Sequence, residues 1–463
     1  MRFIPMALNI ERSMLGLALL SAAALHSLPV RAADQELLDM LLKNGAITQE
    51  QHDTLMKKET ISKQDVDNIK VKLDRKGLQV ETADKAFKFA LGGRIQADAT
   101  WATNNNQLTK GGTPVKANDG TEIRRGRMAF KGVMWHDWKY VIEADFADNK
   151  VHIKDLFVTW KGLDHFEFTA GNQKQPISME LQESSNDIMF TERSLVNSLT
   201  GSLFDRAIGS HAKSKGHDWS TQVGVYGDTI TPNKTSSDFA GEGWGVASRV
   251  TWAPINADGR LVHLGTYGGY RAVNGESEIL DKTLRFRHET THMSNLYLTD
   301  TGKIADVDST TMAGAELAGM YGPFSAQFEY ANAWVNRSDM ENLSFSAWYI
   351  QAAWTLTGES RSYKGSDGEF KRLRPERNFS LRDGGWGALE LAARYGQNDL
   401  NSNDIVGGRQ DSLTVALNWY VNQNVRFMAD YRTALNVKDS PVSQNGGDPD
   451  GVGAFTLRTQ LAF

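Results

Sequence analysis

The 463-residue sequence contains no cysteine, which excludes disulfide staples, thiolate metal sites and cysteine nucleophiles. It has one long apolar run, MLGLALLSAAAL at residues 14–25, and those twelve residues fall short of the roughly twenty a spanning helix needs. No second apolar run approaches that length, so any passage through a membrane has to be made by strands. Positive charge is not in excess either. The 51 Lys and Arg oppose 56 Asp and Glu, which leaves nucleic-acid binding without an electrostatic basis. HExxH, P-loop and GxGxxG patterns are absent. His217 near Ser214, and His263 among scattered Ser and Asp, lack the ordered spacing of a nucleophile and its base. An enzyme is not expected, and no cofactor is implied.

What the chain does have begins with an export pattern. Arg2 and Arg12 precede the apolar run, and Val30 and Ala32 are small residues at cleavage spacing, so residues 1–32 read as a signal peptide removed after Ala32. Loss of Arg2, Arg12 and Arg31 together with Glu11 takes the net charge from −5 to −7. Residues 33–83 read as a periplasmic helical segment too short to hold a core of its own. Within it DQELLDMLLKNG ends at Gly45, Thr48 and Gln51 stand at capping-box spacing, and Val66, Ile69 and Leu73 fall on one helical stripe before Gly77.

From residue 84 to 463 the pattern changes to period two. In FKFALGGRIQADATW, residues 87–101, every odd position is apolar or small, while the even ones include Lys88, Arg94, Gln96, Asp98 and Thr100. Such alternation means a strand with one apolar and one wet face, and fifteen residues is far beyond the five or six of an ordinary globular strand. The pattern recurs in KYVIEADF, GWGVASRVTW, FSAQFEYANAW, FSAWYIQAAWTL, SLTVALNWY and VRFMADY, and many of these segments end in Trp, Tyr or Phe on the apolar face, as interfacial girdles require.

Tight connections at 136–138, 162–165, 216–219, 256–259, 321–324 and 421–424 alternate with long polar ones, including the acidic, Gly-rich 439–451. Turns on one side and loops on the other describe an outer-membrane barrel. With the terminal Phe463 at the periplasmic rim, strand parity makes 282–307 a loop. The fold expected is therefore all-β, a 16-stranded antiparallel transmembrane β-barrel after a short N-terminal helical segment. Its strands lie near 87, 122, 139, 152, 166, 206, 220, 243, 261, 309, 324, 344, 386, 411, 425 and 452, around an aqueous channel rather than a packed core.

Parity then sorts the charges. Arg94, Arg125, Arg127, Lys131, Arg249, Arg271, Arg394, Arg426 and Arg458 face the lumen with Asp98, Glu143, Asp145, Glu316, Glu329, Glu390 and Asp430, and the loop 282–307 adds Arg285 and Arg287. Mixed charges on a wet wall can simply pair with one another. The spacing of Arg125 and Arg127 on one face favours an anion path, because guanidinium binds phosphate bidentately and stays charged at all pH. The long loop 177–205 is the candidate constriction. Glu180, Glu183 and Asp187 make it acidic, which is not the signature of a simple anion filter.

LLKNGAITQEQ, LGGRIQAD, EIRRGRMAFKG, the run from GNQKQP to SSNDIMFTERS, VHLG, WTLTGES and the closing aromatic strand together resemble the phosphate- and polyphosphate-selective porins of Gram-negative outer membranes. The resemblance implies an integral outer-membrane homotrimer of sixteen-stranded barrels, in contact with outer-membrane lipid and passing small anions such as phosphate or polyphosphate. It also implies pore arginines at Arg94, Arg124, Arg125, Arg193, Arg285 and Arg287. Parity sends Arg124 outward, against the resemblance; a bulge near the loop end of the strand would reconcile the two. Phosphate-specific members carry a lysine where this chain has Leu181. A general, weakly selective porin stays open as an alternative, as does a barrel serving as scaffold or enzyme.

Overall fold

The computed structural model describes residues 39–53, 69–74, 77–227, 243–273 and 283–463. The expected leader, residues 1–32, and Val66 lie outside the described residues. Two compact units divide the chain at Lys70 and Val71. In the first, residues 39–43 and 49–53 are helical. The capping box forms there as expected: the Gln51 amide donates to Thr48 Oγ1 at 3.2 Å, and the Thr48 amide to Gln51 Oε1 at 2.9 Å. The expected third helical stripe does not form, because Ile69–Asp74 and Gly77–Thr82 are strands. Ile69, Val71 and Leu73 also alternate with Lys70, Lys72 and Asp74, and this period-two reading, rich in β-branched residues, is the one the chain adopts.

The second unit is a closed antiparallel barrel. Its strands are β1 (Lys88–Thr103), β2 (Gly120–Met134), β3 (Trp138–Asp145), β4 (His152–Leu163), β5 (Phe166–Lys174), β6 (Arg206–Lys215), β7 (Trp219–Tyr226) and β8 (Trp244–Ala257). Continuing round the wall are β9 (Arg260–Ala272), β10 (Val307–Tyr321), β11 (Phe324–Arg337), β12 (Leu343–Thr355), β13 (Ala388–Ser402), β14 (Ile405–Tyr420), β15 (Val425–Lys438) and β16 (Gly453–Ala462). Each pairs with its sequence neighbour, and β16 pairs with β1 to close the wall. All sixteen expected strands are present, and β9 pairs directly with β10, so the connection expected as the loop 282–307 adds no strand to the wall.

Alternation has the predicted sense. On β1, Ile95 and Trp101 are exposed on the outer wall, whereas Arg94, Gln96, Asp98 and Thr100 are buried inside. Aromatics gather near both rims: Phe324 stacks on Trp354 at 5.8 Å and Trp419 on Phe427 at 5.6 Å on the side of the tight turns, while Trp101 meets Phe455 at 6.0 Å towards the other. The terminal Phe463 is laced to β1, its carbonyl accepting from the Gly93 amide at 2.9 Å and its amide donating to the Gly93 carbonyl at 3.1 Å. Gly92 allows this approach, since a Cβ there would stand 2.8 Å from the Phe463 carbonyl oxygen.

Two features depart from expectation. The connections do not sort fully by length. All six expected tight turns lie on one rim, but residues 356–387 are a long connection on that same rim, and 403–404 is a tight turn on the opposite one. The lumen is also not simply aqueous. The loop after β5 carries two short helices, α1 (Met179–Gln182) and α2 (Asn197–Phe204), and folds inward. Leu199, Leu203 and Phe204 pack with Tyr226, Tyr267, Phe286, Phe345 and Tyr349 into an apolar core inside the barrel. Gly269 makes room, for a Cβ there would stand 2.4 Å from the Phe204 ring. Met189 and Phe190 settle against Ala353, Ala392 and Ala416, small residues on the inner face of β12 to β14. The loop thus fills one side of the barrel and leaves a passage along the other.

The closing seam carries a buried ion pair. Arg458 on β16 donates from Nε and Nη2 to the two Asp98 oxygens on β1, at 2.7 and 2.6 Å, with both side chains almost wholly shielded. Asp98→Ala would leave the guanidinium half-paired and should cost about 3–5 kcal/mol, read as an earlier midpoint in urea unfolding from vesicles; replacing Arg458 by Met in the same chain should recover part of that loss.

Candidate functional site

The remaining passage is a cavity of about 680 Å³. Arg94, Arg124, Arg125, Arg127, Lys131, Arg193 and Arg287 all line it, so seven of the eight residues expected on an anion path come together. Arg285 does not. It turns to Asp300 within its own loop, donating from Nε at 2.7 Å with Nη2 on the second carboxylate oxygen.

The wall supplies the first group through its register. Arg94 on β1 stands opposite Arg127 on β2, and Gln96 opposite Arg125. The next pair is Ala97 with Ile123, which leaves Arg124 as the extra residue of a β-bulge. The bulge turns two consecutive arginines inward, where strict alternation sent Arg124 out to lipid. Arg124 donates from Nε and Nη2 to Glu192 at 2.7 and 2.9 Å, while Arg125 donates to Gln96 Oε1 at 2.8 Å and lies 3.8 Å from Glu192. Arg94 donates to Glu143 at 3.0 Å and to the Ser185 hydroxyl at 2.7 Å. Arg127 shares Glu143 at 3.0 Å and takes Asp145 at 2.7 Å.

These carboxylates fix the guanidinium planes without neutralising the cavity. Eleven Lys and Arg line it against seven Asp and Glu. Among the described residues, Lys131, Lys154 and Arg432 have no carboxylate within ion-pair distance. Arg287 lies with its guanidinium carbon 4.3 Å from the Tyr297 ring centroid. Lys154, Arg206, His288, His292 and Arg432 join the lining as well, and none of the five is among the residues expected there. Arg432 shares the inward parity of Arg426 and Asp430, with Tyr431 beside it on the apolar face, and near the loop end of β15 it lines the cavity. Glu192 binds Arg124, Arg125 and Arg458, and it too was overlooked; its only sequence signal was its place beside Arg193 in the loop.

The acidic constriction loop proves not to be an acidic filter. Of the four residues expected to set the constriction, only Leu181 lines the cavity. Glu180 is turned into the loop, accepting from the Ser194 amide at 3.0 Å and the Ser194 hydroxyl at 2.6 Å, and from Arg394 at 3.1 Å. Asp187 faces Arg372 at 3.5 Å. Glu183 is buried, and burial pushes its carboxyl up to about 8, so it is largely uncharged at neutral pH. Loop His288 goes the other way: burial, with Arg432 and Arg394 close by, holds it down to about 3, so it adds no charge. His292 is raised by its 2.7 Å bond to Glu122.

The candidate nucleophile sites stay apart from this chemistry. His217 is exposed in a turn and bonded to Asp218 at 2.6 Å, and His263 is enclosed between the Tyr363 hydroxyl at 2.6 Å and Glu316 at 3.2 Å. The Gly-rich 439–451 is an external loop whose Ser443–Gln444 pairs with Leu108–Lys110. Among the described residues no cluster of His, Asp and Glu has the makings of a metal site.

Comparison with known proteins gives this geometry a family. Residues 89–463 match the sequence model of the family described as phosphate-selective porin O and P. The chain is 27% identical to Porin O of Pseudomonas aeruginosa over 420 residues, 84% of this chain and 91% of that one. Among solved structures, an anion-selective porin from Comamonas acidovorans superposes with a TM-score of 0.50 at 12% identity, covering 81% of this chain and all of the porin. A loop-deletion form of OmpT, an outer membrane protein of Vibrio cholerae, gives 0.50 at 11% identity over 82% of this chain and all of that one. At such identities these likenesses concern the barrel alone.

Lys174, the last residue of β5, governs where the loop stands. Its ammonium donates to the carbonyls of Leu181, Gln182 and Glu183 at 2.7, 3.0 and 3.1 Å, serving the open C-terminal end of α1. Lys174→Met keeps the stem and deletes the three charged bonds, each of order 1.5–3 kcal/mol, so the loop should loosen and planar-bilayer recordings should show a noisier channel with unitary conductance changed about twofold. A trace indistinguishable from wild type would contradict this role.

Proposed function

The chain belongs to the phosphate-selective porin O and P family and is an outer-membrane channel for anions; on that premise we propose that the arginine-lined cavity is its selectivity station, with phosphate or polyphosphate the leading solute. The observation that carries this reading is the convergence of Arg94, Arg124, Arg125, Arg127, Arg193, Arg206, Arg287 and Arg432 on one passage whose opposite side is packed shut. An anion that sheds part of its water there meets fixed guanidinium groups at low local dielectric, where each contact counts for more than in bulk water. Ser184 and Ser185, beside Arg94 and on the same lining, offer hydroxyls to phosphate oxygens.

The spread of the cations favours a chain of phosphates as readily as a single one. Arg432 stands opposite Ala454 of β16 and Arg94 opposite Ala462, so the two arginines are eight residues apart along that strand, roughly 27 Å. A polyphosphate lying along the passage would touch several cations together. A weakly selective anion pore is the second reading. It is favoured by the seven lining carboxylates and by Leu181, which puts an alkyl side chain on the lining where the resemblance implies a lysine in phosphate-specific porins.

Reversal potential in a salt gradient tests the station. Wild-type protein should prefer anions, and added phosphate should block chloride current; Arg125→Ala should weaken that block about tenfold, and Leu181→Lys should strengthen it. Cation preference in the wild type would overturn the assignment, and anion preference without phosphate block would leave the second reading.

We further propose that the working unit is a homotrimer, supported by the family and by the outward apolar band from Ile95 to Phe455, part of which neighbouring barrels would cover. Native mass measurement after gentle detergent extraction should return three chains per particle; monomer alone would defeat this.

A further inference from the structure

The long connection 356–387 does two different things on its rim. Its first part turns into the barrel: Tyr363 reaches His263, and Leu373 packs with Ala388 and Tyr420 on the inner side. Its second part crosses the rim to the outer face. There the Phe379 amide donates to the Val421 carbonyl at 2.8 Å, and the Phe379 ring meets Trp419 edge-on at 5.2 Å. Trp419 belongs to the outward register of β14, with the exposed Val415 and Leu417, and stacks on Phe427 of β15. The chain then makes a closed turn. The Ser380 amide donates to the Gly385 carbonyl at 2.9 Å, the Ser380 hydroxyl to Asp383 at 2.8 Å, and Arg377 to the Asp383 carbonyl at 2.6 Å.

This well-tied turn presents the most exposed large apolar side chain of the described residues. Leu381 is 89% exposed and Trp386 is 72% exposed, and Arg382 beside them is exposed too. An ordered turn that offers leucine and tryptophan to water pays a large hydrophobic cost unless something covers them. We propose that the turn from Phe379 to Trp386 is a membrane anchor, lying in the headgroup boundary of the periplasmic leaflet, with Leu381 and Trp386 among the upper acyl chains and Arg377 and Arg382 on lipid phosphates. Two observations choose lipid as the occupant. The turn is continuous, through Phe379 and Trp419, with the aromatic girdle that marks this rim on the outer wall. Its exposed cations complement anionic headgroups, and Arg side chains extend apolar stems along such a boundary while keeping their charge in the headgroups. The anchor would hold the rim at a set depth and so brace the inner half of the same connection, which packs inside the barrel mouth.

Because the chain has no cysteine, single-site labelling can decide this on the full-length protein. Leu381→Cys carries a nitroxide in vesicles of phosphatidylethanolamine and phosphatidylglycerol, with Leu417→Cys as the lipid-facing reference and the turn position His217→Cys as the water-facing one. Leu381 is too exposed for the change to disturb folding. The expected result is an oxygen-to-nickel accessibility ratio near that of position 417 and about fivefold above that of position 217. A ratio like that of position 217 would overturn the anchor. So would low accessibility to both reagents with dipolar broadening between labels, which would mean that a second copy covers the turn. A lipid signal at 417 in either case would leave the barrel itself standing.

Discussion

Everything in this molecule depends on one constraint: in a bilayer no water is available to satisfy a backbone amide or carbonyl, so a sheet that crosses it must have no open edge. The constraint is met where β16 returns to β1, from Gly453 opposite Thr103 to Ala462 opposite Arg94, with Phe463 continuing the ladder onto Gly93. Once the wall is closed, pleating leaves each side chain two destinations. Ile95, Trp101, Phe130 and Leu457 go to the apolar side, and Arg94, Gln96, Asp98 and Arg458 go inside. Closure therefore gathers the polar half of sixteen strands into one enclosure, where buried charges have to find partners.

How they find them gives the passage its sign. Within the barrel the inward loop divides the space, an apolar core around Phe204 and Tyr267 on one side and the arginine wall of β1 and β2 on the other. The loop's own carboxylates are consumed in building it, Glu180 on Ser194 and Arg394, and Asp187 on Arg372. What is left facing the passage is mostly guanidinium and ammonium. A chain with net negative charge can in this way present a cationic channel, because screening confines each exposed charge to about 8 Å and only the groups lining the passage are felt within it.

Much of this was legible beforehand, and the exceptions share a cause. Fifteen residues of alternation from Phe87 to Trp101 announced a spanning strand, and tight turns at residues such as 321–324 fixed the direction of its neighbours. Reading 282–307 as a loop followed from parity and agrees with the pairing of β9 and β10. The stripe misled because Ile69 and Leu73, four residues apart, share a face in a helix and in a strand alike, and Val71 between them belongs only to the strand. Arg124 fell on the wrong side because one inserted residue reverses parity locally, and the bulge depends on the partner strand's register as well as on β2. The inner packing of 356–387 and the burial of Glu183 gave no sequence signal, since both depend on residues from remote strands.

Sequence alone determined the class of wall, the number and direction of its strands, and the odd or even sense of those inward charges that keep strict alternation, such as Arg94, Asp98, Arg249 and Arg458. It could do so because pleating has a period of two residues and turn chemistry acts within four or five, so both are written locally. Tertiary structure decided which charges are spent and which are free. Arg458 meets Asp98 across 360 positions of chain, Arg394 meets Glu180 across 214, and Lys174 closes onto the backbone of Leu181 only because the loop turns inward. Those meetings are set by barrel closure and by the volume the loop fills, and a one-dimensional pattern carries neither distance.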